Sequence, residues 1–427
     1  MVGCFGFFNP ETFCHIKGIF KLKDIIYVSI FSVFFLHLLV KPSRKIIKTP
    51  FNIVILAIVF LTIFEILYTL CLYPVSLVSA IQTGRDYFAF LLFFPALYFW
   101  NKDKKLFFSL KIFLVISVAG ALLIIGATVF GQDFLLPSYL KSKLKIQSLG
   151  GFDVNRLYIP GNHLIAISYS MLFWLIAMNR KLPYRRLLVA LTLLLGMAWF
   201  FSFSRANWIF MCVTMISPIL FSKKAREIRL KIICLFLSLF LLLMMGSFII
   251  TETRSSSSWR FLFNQIGTIP SDIIKHESTF GYRMKESQYR FAVLKDHFWL
   301  GSGFLHPKYV PQFYEVPEMI ADKPERWGLT SVDWGLLNLL INFGMLGVAW
   351  FVSLVVVVHR RMKKIIHALK PIVEKSLVIG ALAWFWGAVI SFVTLPNFTY
   401  FPSIILFATL LAAVESVYAT RQIQQNI

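Results

Sequence analysis

The chain has 427 residues, of which 58% are hydrophobic and only 15% charged, a balance with too little polar surface for a soluble globule and too much sequence variety for a disordered chain. A net charge of +23 would point to nucleic acid in a soluble protein, but here the basic residues fall in short runs between apolar stretches, so nucleic acid is excluded as a partner. A bilayer admits only structures that satisfy their own backbone, and alternating barrel strands are absent, so the chain is expected to be an all-α polytopic membrane protein.

Residues 1–23 are rich in Phe but are broken by Pro10, Glu11, Lys17 and Lys21. They read as an interfacial or re-entrant segment, or as the remnant of a lost span, with no cleavable signal peptide ahead of them. About eleven helical spans follow, within roughly ten to twelve, each needing roughly 17 to 25 apolar residues. They are placed at 24–40, 51–73, 86–100, 106–130, 158–178, 187–203, 206–221, 232–250, 333–358, 376–394 and 399–418, and 86–100 is the least regular.

Basic runs at 41–48, 102–105, 180–186, 223–231 and 360–370 follow every second span. By the positive-inside rule these are cytoplasmic, which puts the turn at Ser204 and Arg205, the loop 130–157 and the polar stretch 251–330 on the outer face. The C-terminus then lies inside and the N-terminus outside. Neither a fixed repeat nor a pair of matching halves is visible. A single membrane domain over 1–427, with 251–332 as an inserted extracytoplasmic loop, is the economical organisation. Cys4, Cys14, Cys71, Cys212 and Cys234 lack CxxC spacing, so no zinc site is indicated, while a Cys4 to Cys14 bridge stays open.

Inside the polar stretch, 281–298 holds no Pro or Gly after Gly281 and predicts an amphipathic helix ended by a turn at Gly301 and Gly303. Helical spacing puts Arg283, Glu286, Arg290 and His297 on one face and Phe291, Leu294 and Phe298 on an adjoining one. The cations could face a ligand above the membrane, or simply water.

Three patterns in this order resemble the O-antigen ligase and O-antigen polymerase superfamily, which also holds exopolysaccharide polymerases. They are FSFSRANWIF at 201–210, with a Ser-Arg pair opening a span; Arg283 followed by Gly301-Ser302-Gly303; and DWGLLNLLINFGMLG at 333–347, ending in a Gly-x-x-Gly. Together they reach from about residue 190 to 350. Three departures stand out: Asp333 where ligases carry His, Trp334 in place of Asn, and Phe298 in place of Pro before the turn. The acidic residue leans the comparison toward polymerases.

The resemblance implies a GT-C-like glycosyltransferase of bacterial surface polysaccharide assembly, in the inner membrane with its site on the extracytoplasmic face. It moves a glycan from a polyprenyl (undecaprenyl) pyrophosphate carrier to a sugar hydroxyl, without nucleotide sugar, metal or other cofactor. The implied partners are the lipid-linked oligosaccharide, membrane lipid and a chain-length regulator protein.

The residues suit that chemistry. Departure of pyrophosphate builds negative charge that fixed cations must stabilise, and the arginine fork pairs with phosphate oxygens through two hydrogen bonds. Arg205 and Arg283 are the catalytic candidates; the competing readings are a snorkelling interface residue for Arg205 and a solvated face for Arg283. Arg290, Arg85, Ser204 and His297 are candidates for substrate binding, although Arg85 beside Asp86 also reads as a local structural pair. Asp333 is the candidate base for the acceptor hydroxyl, with helix N-capping as a compatible role. His297 and His306 are substitutes for the missing His. Tyr309, Phe313, Tyr314 and Trp327 could stack on sugars or pack the loop. No Asp-x-Asp or HExxH occurs in the outer segments, so no metal site is expected.

Transfer to lipid A core, as in a ligase, is the alternative within the class. A lipid-linked oligosaccharide flippase is the alternative outside it; it calls for charges in mid-span, where this chain has only Glu65 and His163.

Overall fold

In a computed structural model the described residues are 22–41, 48–100, 104–130, 144–149, 152–157, 162–179, 181–202, 204–221, 279–316, 328–330, 334–369 and 372–425. They form an all-α polytopic membrane protein with one short hairpin. Among the described residues, five helices are long and apolar enough to cross a membrane, and three shorter apolar ones accompany them. The expected span at 232–250 and the residues Cys4, Cys14 and Cys234 lie outside the described residues.

In chain order the helices are α1 (Leu22–Val40), α2 (Pro50–Leu72), α3 (Leu77–Gly84), α4 (Phe93–Trp100), α5 (Lys104–Phe130), α6 (Asn162–Met178), α7 (Arg185–Phe200), α8 (Arg205–Phe221), α9 (Thr279–Asp296), α10 (Gly335–Ala368), α11 (Ile372–Ser391) and α12 (Phe401–Gln425). Two antiparallel strands, β1 (Leu144–Leu149) and β2 (Phe152–Leu157), occupy the expected loop between α5 and α6, paired from Leu144 with Leu157 to Leu149 with Phe152.

The expected third span is not one helix. It begins earlier, at Leu77, and runs as α3, a 3-10 segment at Arg85–Leu92, and α4. Two charged residues at 85–86 interrupt the apolar pattern, and Arg85 reaches Asp24 of α1 at 2.6 Å.

Contacts divide the chain into two interleaved units. The first holds the described residues within Phe108–Gly281 and Ile365–Ser391, the second those within Pro10–Phe107, Tyr282–Lys364 and Phe392–Ile427.

In the first unit α6 and α8 pack on α11. Lipid offers no hydrophobic drive between helices, so close packing and buried neutral hydrogen bonds must join them. Ser170 Oγ donates to Gly380 O at 2.6 Å, Trp174 Nε1 to Thr214 O at 3.1 Å, and Asn179 Nδ2 to Ser376 Oγ at 3.0 Å. Phe210 sits between Trp199 and Trp384, with ring centroids at 5.0 and 6.1 Å.

In the second unit α12 packs on α4 and the 3-10 segment, which also meets α2. Thr49 opens α2 by accepting from Phe51 N at 3.2 Å, with Pro50 in the first helical turn, where its missing N–H costs nothing. Trp350 Nε1 of α10 donates to Val54 O at 2.9 Å, and Ser416 Oγ of α12 to Trp100 O at 2.6 Å. Arg361 forks onto Glu415 at 2.6 and 2.8 Å and lies 4.9 Å over the Tyr418 ring.

Candidate functional site

The Ser204-Arg205 pattern sits in the first unit at the start of α8, which follows α7 after a short turn. Asn207 Nδ2 donates back to Ser202 Oγ at 2.9 Å, and Trp208 Nε1 donates to Phe200 O at 3.0 Å while its ring stacks on Phe200 at 5.2 Å. Ser204 is half-buried, and its carbonyl accepts from Trp208 N at 3.1 Å. The small and aromatic residues after Arg205 thus close the turn that places Arg205 at the first helical position.

The second and third patterns meet in the second unit. The predicted amphipathic helix is observed as α9, which includes Arg283 in its early turns and leads into Gly301-Ser302-Gly303. Gly301 and Gly303 have φ of 75° and 66°, a region that favours glycine. The turn docks on a break in α10 at Gly344, whose φ of 57° and ψ of −147° are open to almost no other residue. In an unbroken helix Met345 N would bond Ile341 O. Here Met345 N donates to Phe298 O at 3.1 Å and Leu346 N to Trp299 O at 3.4 Å, while the released Ile341 O accepts from Ser302 N at 2.7 Å. A Cβ on Gly344 would lie 2.4 Å from the Trp299 backbone, so side chains are excluded on steric grounds as well. Phe304 N then donates to Thr69 Oγ1 of α2 at 2.7 Å, fastening the end of the turn.

The faces of α9 differ from the expected arrangement. Arg290 is 1% exposed and lies on the packed side with Ser287, Val293 and Leu294, whereas Phe291 and Phe298 are outward. The packed side meets a core of Tyr73, Leu305, Val310, Leu329, Leu337 and Ile341, and an aliphatic stem lets an arginine share such a face. Arg290 Nη2 donates to Gly328 O at 3.1 Å, Tyr289 Oη to the same carbonyl at 3.0 Å, and the guanidinium lies 5.1 Å over the Tyr289 ring. Arg290 therefore anchors the 328–330 strip.

His297 is half-buried, and its carbonyl accepts from Gly301 N at 2.7 Å. His306 caps a short 3-10 turn, its Nδ1 accepting from Lys308 N at 3.3 Å. Tyr309, Phe313 and Tyr314 pack against the core. The hydroxyls of Tyr73 and Tyr314 share a hydrogen bond at 2.5 Å. Trp327 and Asp333 lie outside the described residues. At the entry to α10, the Trp334 carbonyl accepts from Asn338 N at 3.0 Å and Leu336 N is taken up by Phe392 O at 3.1 Å.

Beside that entry is a cavity of about 230 Å³, lined by Thr83, Asp86, Tyr87, Thr330, Asn338, Asn342, Pro396, Thr399 and Tyr400. Sequence reasoning had treated Asp86 only as a neighbour of Arg85 and had missed the two asparagines. The signal was there: Asn338 and Asn342 are four apart on an otherwise apolar helix, hence on one face. Among the described residues no group of three His, Cys, Asp or Glu is placed to hold a metal ion.

No curated protein matches the chain. Residues 190–352, from within α7 to within α10, match the family model described as O-antigen ligase. That stretch, less than half of the chain, contains all three patterns, including both halves of the glycine interlock, and over it the chain is similar to the O-antigen ligase family.

Proposed function

We propose that the protein transfers a glycan from a polyprenyl pyrophosphate carrier to a sugar hydroxyl on the extracytoplasmic face of the bacterial inner membrane, as the repeat-unit polymerase of a surface polysaccharide. The observation that carries this reading is the family match over 190–352, within which the Ser-Arg turn and the glycine interlock fall. The acceptor oxygen attacks the anomeric carbon, the bond from that carbon to the pyrophosphate oxygen breaks, and the hydroxyl proton passes to Asp333. Arg205 and Arg283 stabilise the departing polyprenyl pyrophosphate, where a positioned charged fork is worth most. Asp333 in place of His favours polymerisation over transfer to lipid A core.

Purified protein in proteoliposomes with undecaprenyl pyrophosphate oligosaccharide should yield a ladder of longer lipid-linked products. Transfer confined to added lipid A core would make the protein a ligase, and carrier movement across the bilayer without bond formation would make it a flippase. Asp333→Asn should give no ladder although Asn caps a helix about as well. Normal product from that variant would remove Asp333 as the base.

A further inference from the structure

The run Phe298-Trp299-Leu300-Gly301-Ser302-Gly303-Phe304-Leu305 carries no charged residue, and Lys295-Asp296 before it and Lys308 after it bracket it. It is too short to cross a bilayer, which takes about 20 residues, and has the length of a segment that enters and leaves by one face. The helix on which it docks gives its depth. From Met345 onward α10 is regular as far as Arg360 and Arg361, where its basic end begins. At about 1.5 Å per residue Leu346 stands roughly 21 Å from Arg360, whereas the hydrocarbon layer is about 30 Å thick. Leu346 N donates to Trp299 O at 3.4 Å, so that carbonyl lies inside the layer, about 9 Å beneath its far boundary. The second support, α2, agrees: Gly303 and Phe304 pack against Glu65 and Thr69, in the last turns of that helix and not beyond its end at Leu72.

Irregular backbone is tolerated at such depth only where protein satisfies it. Here Ser302 N donates to Ile341 O and Phe304 N to Thr69 Oγ1, and Gly301 to Phe304 are buried. The side chains that open the run face the other way. Phe298 is 45% exposed and Trp299 71%, beside Leu346 at 41%. Leu346 in turn begins the exposed stripe of α10 that continues through Ala349, Val352 and Val356 at helical spacing. Two exposed aromatic side chains are costly in water and at no disadvantage among acyl chains.

We propose that residues 298–305 form a re-entrant turn within the hydrocarbon layer, and that Phe298 and Trp299 are a lipid-facing surface whose partner is the acyl chains of the bilayer. The tip of the polar loop is then not in water, and α9 is the arm by which the chain descends from the surface. Such a turn is independent of the glycan-transfer reading and stands or falls without it.

The test places a nitroxide spin label on single cysteines in the full chain, with the native cysteines replaced by Ala and the protein in nanodiscs. Oxygen concentrates in lipid and a neutral nickel chelate in water, so the ratio of their collision rates with the label reports its surroundings. Trp299→Cys and Phe298→Cys should each give the oxygen-dominated ratio of Leu346→Cys on α10. That ratio should be several times the value for Gln312→Cys, an exposed position beyond the run. Chelate-dominated contact in either folded variant would put the turn in water and overturn the proposal. Weak contact with both reagents would put protein over the surface in place of lipid, and a chelate-dominated Leu346→Cys would remove the ruler; each overturns it as well. Because the two sites are read separately, a variant that fails to fold leaves the other to decide.

Discussion

The two units are held together by different means. In the first, α6, α8 and α11 are joined by aromatic packing and single neutral hydrogen bonds such as Ser170 to Gly380 and Asn179 to Ser376. In the second, a turn outside the helix ladder completes the backbone of α10 at Gly344, and Arg361 forks onto the buried Glu415. Neutral bonds between membrane helices contribute little each and tolerate replacement. A shared backbone ladder does not, because every donor and acceptor must be re-housed. The contrast marks the first unit as mainly framework and the second as the part whose local geometry is most closely specified.

The sharpest way to break this contrast is Gly344→Val. Forcing a β-branched residue into that conformation against the Trp299 backbone should cost at least about 3 kcal/mol. The second unit should fail to fold, read as loss of monodisperse protein on size exclusion after mild heating. Survival at the parent's melting temperature would show that the break is not needed.

Arg205 tests the framework side, since it belongs to the first unit. If that unit were framework alone, Arg205→Ala would be silent. The expected result, shared with Arg283→Ala, is a fall of roughly 10² to 10³ in transfer rate with normal membrane insertion, and partial recovery by Lys. Full activity in either Ala variant would return that arginine to a structural role.

A smaller effect is expected at Glu415, whose two oxygens take the Arg361 fork. Glu415→Gln should lower stability by about 2 kcal/mol, as expected for charged hydrogen bonds, measured by thermal melting in detergent. No shift would mean that the packing of Arg361 over Tyr418 suffices. The smallest effect belongs to the first unit: Ser170→Ala should cost about 0.6 kcal/mol, the average for such bonds between membrane helices. A loss as large as that at Glu415 would erase the proposed distinction.

Much of this was legible in the sequence. The apolar runs that became α1, α2, α5, α6, α7, α8, α10, α11 and α12 were visible because lipid demands long uninterrupted stretches, and α9 with its glycine turn followed from Gly281, Gly301 and Gly303. The break in α10 was not, because Gly344 sits inside a pattern that a straight helix satisfies equally well, and only Trp299 and Ser302, some forty residues earlier, give it a reason. The burial of Arg290 was not legible because helical spacing shows which residues align, not which side is packed. The bond from Arg85 to Asp24 was not legible because the two are 61 residues apart and local spacing offers no sign that α1 comes alongside.

The exchange at Gly344 also bears on the order in which the protein can be assembled. Ile341 O, Met345 N and Leu346 N have two ways to be satisfied: ordinary pairing along a straight α10, or the arrangement completed by Phe298, Trp299 and Ser302. The turn is synthesised before α10, so the residues that bend the helix are already present when it emerges. A chain carrying α10 without the segment before it has every backbone reason to enter lipid as a straight rod, one that must later be bent if the segment is supplied separately.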